Sequence, residues 1–449
     1  MGVRVRFPPS PTGFCHVGTA RMAILNYLFA KKHGGTIIFR SEDTDKERSR
    51  REFEEDIVEQ LKWLGLSWDE FYRTSERTES HVKALKRLIE EDKAYVSKEP
   101  SKKDPAIITE VVRLRNPGKA ITFTDLVRGD ITFDTTELKD FVIARAIDDP
   151  LYHLAVVVDD AEMNISHVIR GEDHISNTPR QILIQEALGF PRPEYAHYPL
   201  HLGADKSKLS KRTGDVAVKN YRERGFLPEA LLNYIALLGW TPPSEREIMS
   251  LPEMLKEFEI KDLHKSGAIF DVEKLRWFNR QYLLKEPESS FVQEAANIMK
   301  TELTARNIPW DEERAARIMP LIRERISVWE DLRNFIREGE FDFFFTSPSP
   351  DPSTIPGKGS DAETAKKHLA YIRGILSALP PSEWKEYETV KDALWDYATK
   401  EGKGPVLWPL RYSLTGRERS PDPFLVCIAI GKEATVERID AALDILKTT

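Results

Sequence analysis

Cysteine is almost absent from this sequence. Of 449 residues only Cys15 and Cys427 are cysteines, too few for a disulfide framework or a cysteine-rich zinc site. Long apolar runs are missing too, which excludes a membrane-spanning helix of ordinary length. Residues 1–20 lack the basic region and apolar core of a secretory signal, so a cytoplasmic protein is expected. Two phosphate-binding signatures are also lacking. No G-x-x-x-x-G-K-[ST] occurs, and no G-x-G-x-x-G follows the first strand, so the chain has neither a P-loop nor a dinucleotide fingerprint. The formal net charge of −7 does not by itself suggest a nucleic-acid partner.

What remains is a chain that is 41% hydrophobic and 31% charged, long enough for two to four domains with at least one sizeable core. Val3 to Phe7 alternates apolar and basic residues as a strand does, and a turn follows over Pro8–Gly13. A helix is expected from about Val17 to Lys32, stopped by Gly34-Gly35, with "TIIFR" (36–40) as the next strand. Strand, helix, strand within forty residues is a βαβ unit and implies a parallel sheet with a right-handed crossover. Glu47–Leu64 reads as a second amphipathic helix. "YHLAVVVDD" (152–160) and "SHVIRGEDH" (166–174) read as two further strands. The segment 93–150 between them and the first half has its own short strands, so the sheet is expected to be split by an insertion. Beyond Leu227 the pattern is helical, as in "FLPEALLNYIALLGW" (226–240) and "EKLRWFNRQYLL" (273–284). "TSPSPDPSTIPGKGSD" (346–361) has the composition of a linker between helical pieces.

Two stretches suit phosphate. A strand, a Pro/Gly turn and a helix start bring backbone N–H groups and a positive dipole end to one place, and "HVGT" stands there with His16 and Thr19. The plainer reading of His16 is a helix cap. The second stretch, "DKSKLSKRTGD" (205–215), opens a region to Arg224 that holds seven Lys or Arg against three acidic residues. Its plainer reading is a solvated basic loop.

"PSPTG…HVGT" with a downstream "KLSKR" resembles the two nucleotide motifs of class I aminoacyl-tRNA synthetases. "RSEDTD" (40–45), "HVIRGEDH", "PLRYSLTG" (409–416) and "GKEATVERIDAAL" (431–443) resemble the glutamyl-tRNA synthetase branch nearly end to end. The resemblance implies an α/β fold: a Rossmann-like parallel-sheet catalytic domain split by an α/β insertion, then an all-helical anticodon-binding region. The implied domains are 1–92 and 152–240 for the two catalytic halves, 93–151 for the acceptor-stem insertion and 241–287 for a stem-contact junction. Helical subdomains are expected at 288–345 and 362–449, joined by 346–361.

It implies ATP with Mg²⁺, L-glutamate and glutamate tRNA as substrates and partners. No structural zinc, no membrane and a monomer are expected. His16, Thr19, Lys208 and Lys211 would be catalytic. Gly18, Asp173, His201, Leu209, Ser210 and Arg212 would join them around ATP. Arg6, Pro8, Ser10, Glu42, Tyr152, Val156 and Arg170 would hold glutamate, because an arginine fork suits a carboxylate.

Transfer RNA needs only a local basic track, and "RIMPLIRERISVWEDLRNFIR" (317–337) supplies arginines interleaved with Trp329 and Phe335. Arg323 and Arg325 are the anticodon candidates, and Arg325 implies discrimination against glutamine tRNA; a non-discriminating enzyme is the alternative. Two other readings compete. Glutaminyl-tRNA synthetases carry C-terminal β-barrels where this chain reads as helical, and a small-molecule adenylyl-forming ligase would not need the helical half.

Overall fold

A computed structural model describes residues 2–45, 47–100, 106–203 and 217–448. By internal contacts the chain divides into two units, Met1–Tyr282 and Leu283–Thr449.

The first unit begins with β1 (Arg4–Phe7), α1 (Val17–Lys32), β2 (Thr36–Ser41), α2 (Arg51–Trp63), β3 (Glu70–Arg73) and α3 (Thr78–Glu90). β2 lies between β1 and β3 and is parallel to both. Three residues of β1, Val5, Arg6 and Phe7, are buried on both faces, the condition of a strand covered on either side by helices. The expected stop of α1 is present: Gly34 takes a φ of +62°, a left-handed turn that glycine adopts without penalty. α2 begins later than expected, because Asp45 folds the preceding residues into a turn by accepting the Arg48 backbone N–H at 3.1 Å.

The insertion follows as β4 (Ala94–Pro100), β5 (Ile108–Leu114), β6 (Ala120–Asp125), β7 (Gly129–Asp134), β8 (Phe141–Ala146) and β9 (Asp149–Pro150). β4, β5, β8 and β9 form an antiparallel sheet of their own. The hairpin β6–β7 does not join it. The chain then runs through α4 (Tyr152–Glu162), β10 (His167–Gly171), α5 (Thr178–Leu188) and β11 (Glu194–Tyr198). β10 and β11 are parallel, and β11 meets β6 at Tyr195 and Asp125. β10 adjoins β1, where Ser166 Oγ accepts the Arg4 N–H at 2.8 Å. Thus β1, β2 and β3 run parallel, β10 and β11 run parallel to each other beside β1, and the hairpin extends the β11 edge.

The strand expected at 152–160 is a helix, α4. Its residues from Leu154 to Asp160 are all buried, so the run shows no polar face from which a period of 3.6 could be read, and β-branched valines then mimic a buried strand. The helical turn sends Asp159 and Asp160 to different arginines: Asp159 accepts from Arg77 Nε at 2.7 Å, Asp160 from Arg40 Nη1 at 2.7 Å. The stretch 166–174 is a strand only as far as Gly171; Glu172–Asn177 is a 3₁₀ turn.

The second unit is helical, from Glu288–Ala305 and Glu312–Arg325 to Lys432–Lys447. Residues 346–361 connect two of its helices but are not a loose tether. Ile355 is fully buried, Trp408 Nε1 donates to the Thr354 carbonyl at 3.0 Å, and Gly357, at φ +80°, leaves no room for a Cβ beside the Trp408 indole. Among the described residues no helix is long and apolar enough to cross a membrane.

Candidate active site

Parallel strands end on one edge of their sheet, and binding residues gather there. In this chain Arg6 and Pro8 stand at the end of β1, Glu42 just past β2, Arg170 and Gly171 at the end of β10, and Tyr198 at the end of β11. With Ser10, His16, Gly18, Thr19, Tyr152 and Asp173 they line one cavity of about 480 Å³.

One wall is the start of α1. His16 is its N-cap, and Nδ1 accepts the Thr19 N–H at 3.1 Å. With that nitrogen used as an acceptor, a neutral ring carries its proton on Nε2, which lies 3.3 Å from Thr19 Oγ1. The cap and the ligand roles of His16 are therefore compatible. The first turn of α1 holds no acidic residue, so its dipole end is open to an anion. Gly18 leaves the ring its place: a Cβ on it would stand 3.0 Å from the His16 ring, which would have to give by a few tenths of an ångström. Ala217 closes the same corner through a backbone bridge to His16.

The floor holds three buried guanidiniums. Arg6 Nε donates to Asp160 Oδ1 at 3.1 Å; Arg40 donates to the same oxygen and, at 3.1 Å, to Glu42 Oε1. Among the described residues Arg170 makes no ion pair: Nε donates to His197 Nε2 at 3.0 Å and Nη2 to Thr178 Oγ1 at 2.9 Å, with Asp160 acting on it only from a distance. Arg6 and Arg40, by contrast, are answered by Asp160 and Glu42, with Asp159 Oδ2 also 4.0 Å from Arg40 Nε. Arg6 Nη1 is buried without a partner, and buried charge without a partner is strongly unfavourable. Burial pushes Arg170 below its ordinary value, an effect that an incoming anion reverses. Burial likewise pushes the Glu42 carboxyl up against the pull of Arg40 and Arg6, so an incoming cation would favour its ionised form. Burial and the nearby Glu42 raise the Tyr152 phenol to about 12, leaving it a neutral donor. The floor thus sets buried guanidiniums on one side of the cavity and the Glu42 carboxyl on the other.

Val156 is not among the residues lining the cavity; one helical turn beyond Tyr152 on the same face of α4, its side chain is buried in the hydrophobic core with Leu154, Val157 and Val158. His201 is described by its backbone, paired with Ala268. Lys208, Leu209, Ser210, Lys211 and Arg212 lie outside the described residues. Sequence reasoning missed Arg40, Asp160 and His197. Two aspartates embedded in the apolar run 152–160 were the available signal, since acids in such a run need buried partners.

In the second unit, Arg323 donates to the carbonyls of Leu284 (3.0 Å) and Glu286, fastening a helix end. Arg325 pairs with Glu340 and lies over the Phe335 ring at 4.5 Å. Trp329 is buried against Phe291, and Arg337 pairs with Glu302 at 2.7 Å.

The family model for class I (E and Q) tRNA synthetase catalytic domains matches residues 2–104 and 101–277, and an anticodon binding domain model matches 291–443. A glutamate–tRNA ligase from Aquifex aeolicus is 38% identical over 98% of this chain and 99% of its own length. The chain belongs to the glutamate–tRNA ligase family of class I synthetases. A second member, from Carboxydothermus hydrogenoformans, is 37% identical over 97% of this chain and 99% of its own. Among solved structures, a glutamate tRNA ligase from Elizabethkingia meningosepticum, in complex with its amino acid, is 33% identical. It superposes with a TM-score of 0.85 over 99% of both chains. The expected fold, a split parallel sheet followed by a helical anticodon-binding region, is the fold of this family and of this chain.

Proposed function

We propose that this glutamate–tRNA ligase carries out both steps of its reaction in the cavity at the sheet edge. In the first, a glutamate α-carboxylate oxygen attacks the α-phosphorus of ATP and pyrophosphate leaves. In the second, a terminal ribose hydroxyl of tRNA attacks the acyl carbon and AMP leaves. The observation that carries this reading is Arg170, a buried guanidinium with no ion pair among the described residues, beside Arg6 and across from Glu42.

Arg6, Arg170 and the neutral Tyr152 hydroxyl take the glutamate side chain, Glu42 takes its ammonium, and Pro8 and Ser10 border its other end. Glutamine, whose amide carries no charge, leaves Arg170 unanswered. The α1 N-terminus with His16, Gly18 and Thr19 takes phosphate, and Asp173 with the backbone at His201 takes the nucleoside. Lys208 and Lys211, flanked by Leu209, Ser210 and Arg212, supply charge to the developing phosphorane. Mg²⁺ enters with the ATP phosphates as their counter-ion. Alignment and electrostatics do the work, since no covalent enzyme intermediate is involved. The enzyme acts as a monomer in the cytoplasm, with residues 93–151 meeting the acceptor stem. Arg325, held over Phe335 at the end of its helix, reads the last anticodon base and makes the enzyme discriminating.

The test is ATP–pyrophosphate exchange with and without tRNA. Glutamate-dependent exchange is expected with tRNA and nearly none without it, tRNA favouring the competent state. Exchange independent of glutamate, or no charging of glutamate tRNA, would overturn the reading.

A further inference from the structure

The hairpin β6–β7 reaches the glutamate pocket without touching substrate. Asp125, the last residue of β6, accepts the His197 Nδ1 proton at 2.6 Å and the His197 backbone N–H at 3.0 Å. Its other oxygen accepts the N–H groups of Val127 and Arg128, both at 3.0 Å. The imidazole is thereby fixed in one tautomer, protonated on Nδ1, and Nε2 keeps the lone pair that receives Arg170 Nε at 3.0 Å. His197 and Asp125 are both buried. Arg128, in the hairpin turn, adds a bond to the His197 carbonyl at 3.2 Å and an ion pair to Glu172 at 2.5 Å.

We propose that Asp125 and His197 are a positioning pair that aims the Arg170 guanidinium at the substrate carboxylate, so that the β6–β7 hairpin helps to set the affinity for glutamate. The inference rests on the assignment of Arg170 to the glutamate side chain. The reason is directional. Arg170 has five N–H groups and, among the described residues, no ion pair to hold it. An acceptor at Nε and another at Nη2 from Thr178 fix two edges of the guanidinium plane, and Nη1 has no partner among the described residues. A protonated His197 would present an N–H to an N–H and push the guanidinium away.

The groups that face His197 are Asp125 from β6, Arg128 from the turn after it, Arg170 from β10, Thr178 from α5, the Tyr195 ring stacked at 6.1 Å and His174. Burial lowers His197 below its ordinary value, Asp125 opposes this and Arg170 reinforces it. The acceptor form is therefore complete at neutral pH and is lost as pH falls through that lowered value. His174 sits lower, at about 4.

The experiment measures aminoacylation at saturating ATP and tRNA, with the KM for glutamate followed from pH 5 to 8 and the KM for ATP as control. His197→Leu should raise the glutamate KM at pH 7.5 by about tenfold or more, the scale of one charged hydrogen bond, with the ATP KM unchanged. His197→Gln keeps a carbonyl oxygen near Nε2. It should restore most of the affinity and lack the acid-side rise in KM expected of the parent, and it also serves if the leucine variant does not fold. A glutamine variant that keeps the parent's acid limb, or a folded leucine variant with the parent's glutamate KM, would overturn the proposal. Arg170→Ala separates the two claims. If it spares glutamate, the carboxylate reading of Arg170 fails; if it abolishes glutamate use while both His197 variants behave as the parent at every pH, only the positioning pair fails.

Discussion

Arg6 and Arg40 share one carboxylate: Asp160 Oδ1 stands 3.1 Å from Arg6 Nε and 2.7 Å from Arg40 Nη1. Burial alone would raise Asp160, but the two guanidiniums overcome it and hold the group below its ordinary value. Asp160→Asn leaves two buried cations sharing Glu42. Breaking a buried pair in this way removes about 3–5 kcal/mol of stability, to be read from urea denaturation of parent and variant. The sign with pH follows from the lowered value. Asp160's contribution is complete above about pH 4 and disappears as acid protonates it, so the parent should lose stability below that pH more steeply than the variant. Equal denaturation midpoints at pH 7 would contradict the role given to Asp160.

Gly18→Ala sets two effects against each other. Alanine is the better helix former by about 1 kcal/mol, while a Cβ 3.0 Å from the imidazole displaces the His16 cap, also worth about 1 kcal/mol. Thermal stability should therefore change little. The turnover number with ATP should fall by about tenfold or more, because the displaced ring is the phosphate donor. An alanine variant with parental kinetics would show that His16 is only a cap.

Lys211→Ala should leave the denaturation curve unchanged and lower pyrophosphate exchange by about 10²–10³, the effect of losing one oriented donor to developing charge. Exchange at the parental rate would remove Lys211 from the phosphate site.

Arg325→Gln should relax selection against glutamine tRNA while glutamate tRNA is still charged. The ratio of the two charging efficiencies is the measurement, and comparable charging of both tRNAs by the parent would defeat the assignment. Since Arg325 is paired with Glu340, Glu340→Gln should leave the folded helix in place and alter the same ratio.

The sheet edge was legible because its residues are local. Arg6, Pro8, Ser10, His16, Gly18 and Thr19 follow one another through a strand, a turn and a helix start. A period of two giving way to 3.6 marks where they lie. The helix at 152–162 was not legible, since a segment buried on every side has no polar face to betray its period. His197 and Asp125 were hidden for another reason. They are 72 residues apart and meet only because a hairpin from the insertion docks on β11, a contact no local pattern announces. The basic track on 317–337 was legible in composition alone; the partners its arginines take in the fold, Glu340 for Arg325 and Glu302 for Arg337, lie outside any local pattern.

Ile355 and Gly357 give the C-terminal helices a shared fate. A Pro/Ser-rich stretch between two helical bundles ordinarily lets each melt alone and offers proteases an easy cut. In this chain the indole of Trp408, on a helix some fifty residues later, is seated over that stretch through its bond to Thr354. Peeling the stretch away would open water onto the core below it. The helices on either side should therefore unfold as a single cooperative block, and hydrogen exchange of the 346–361 backbone is expected to follow the block's global opening rather than the fraying of a surface loop.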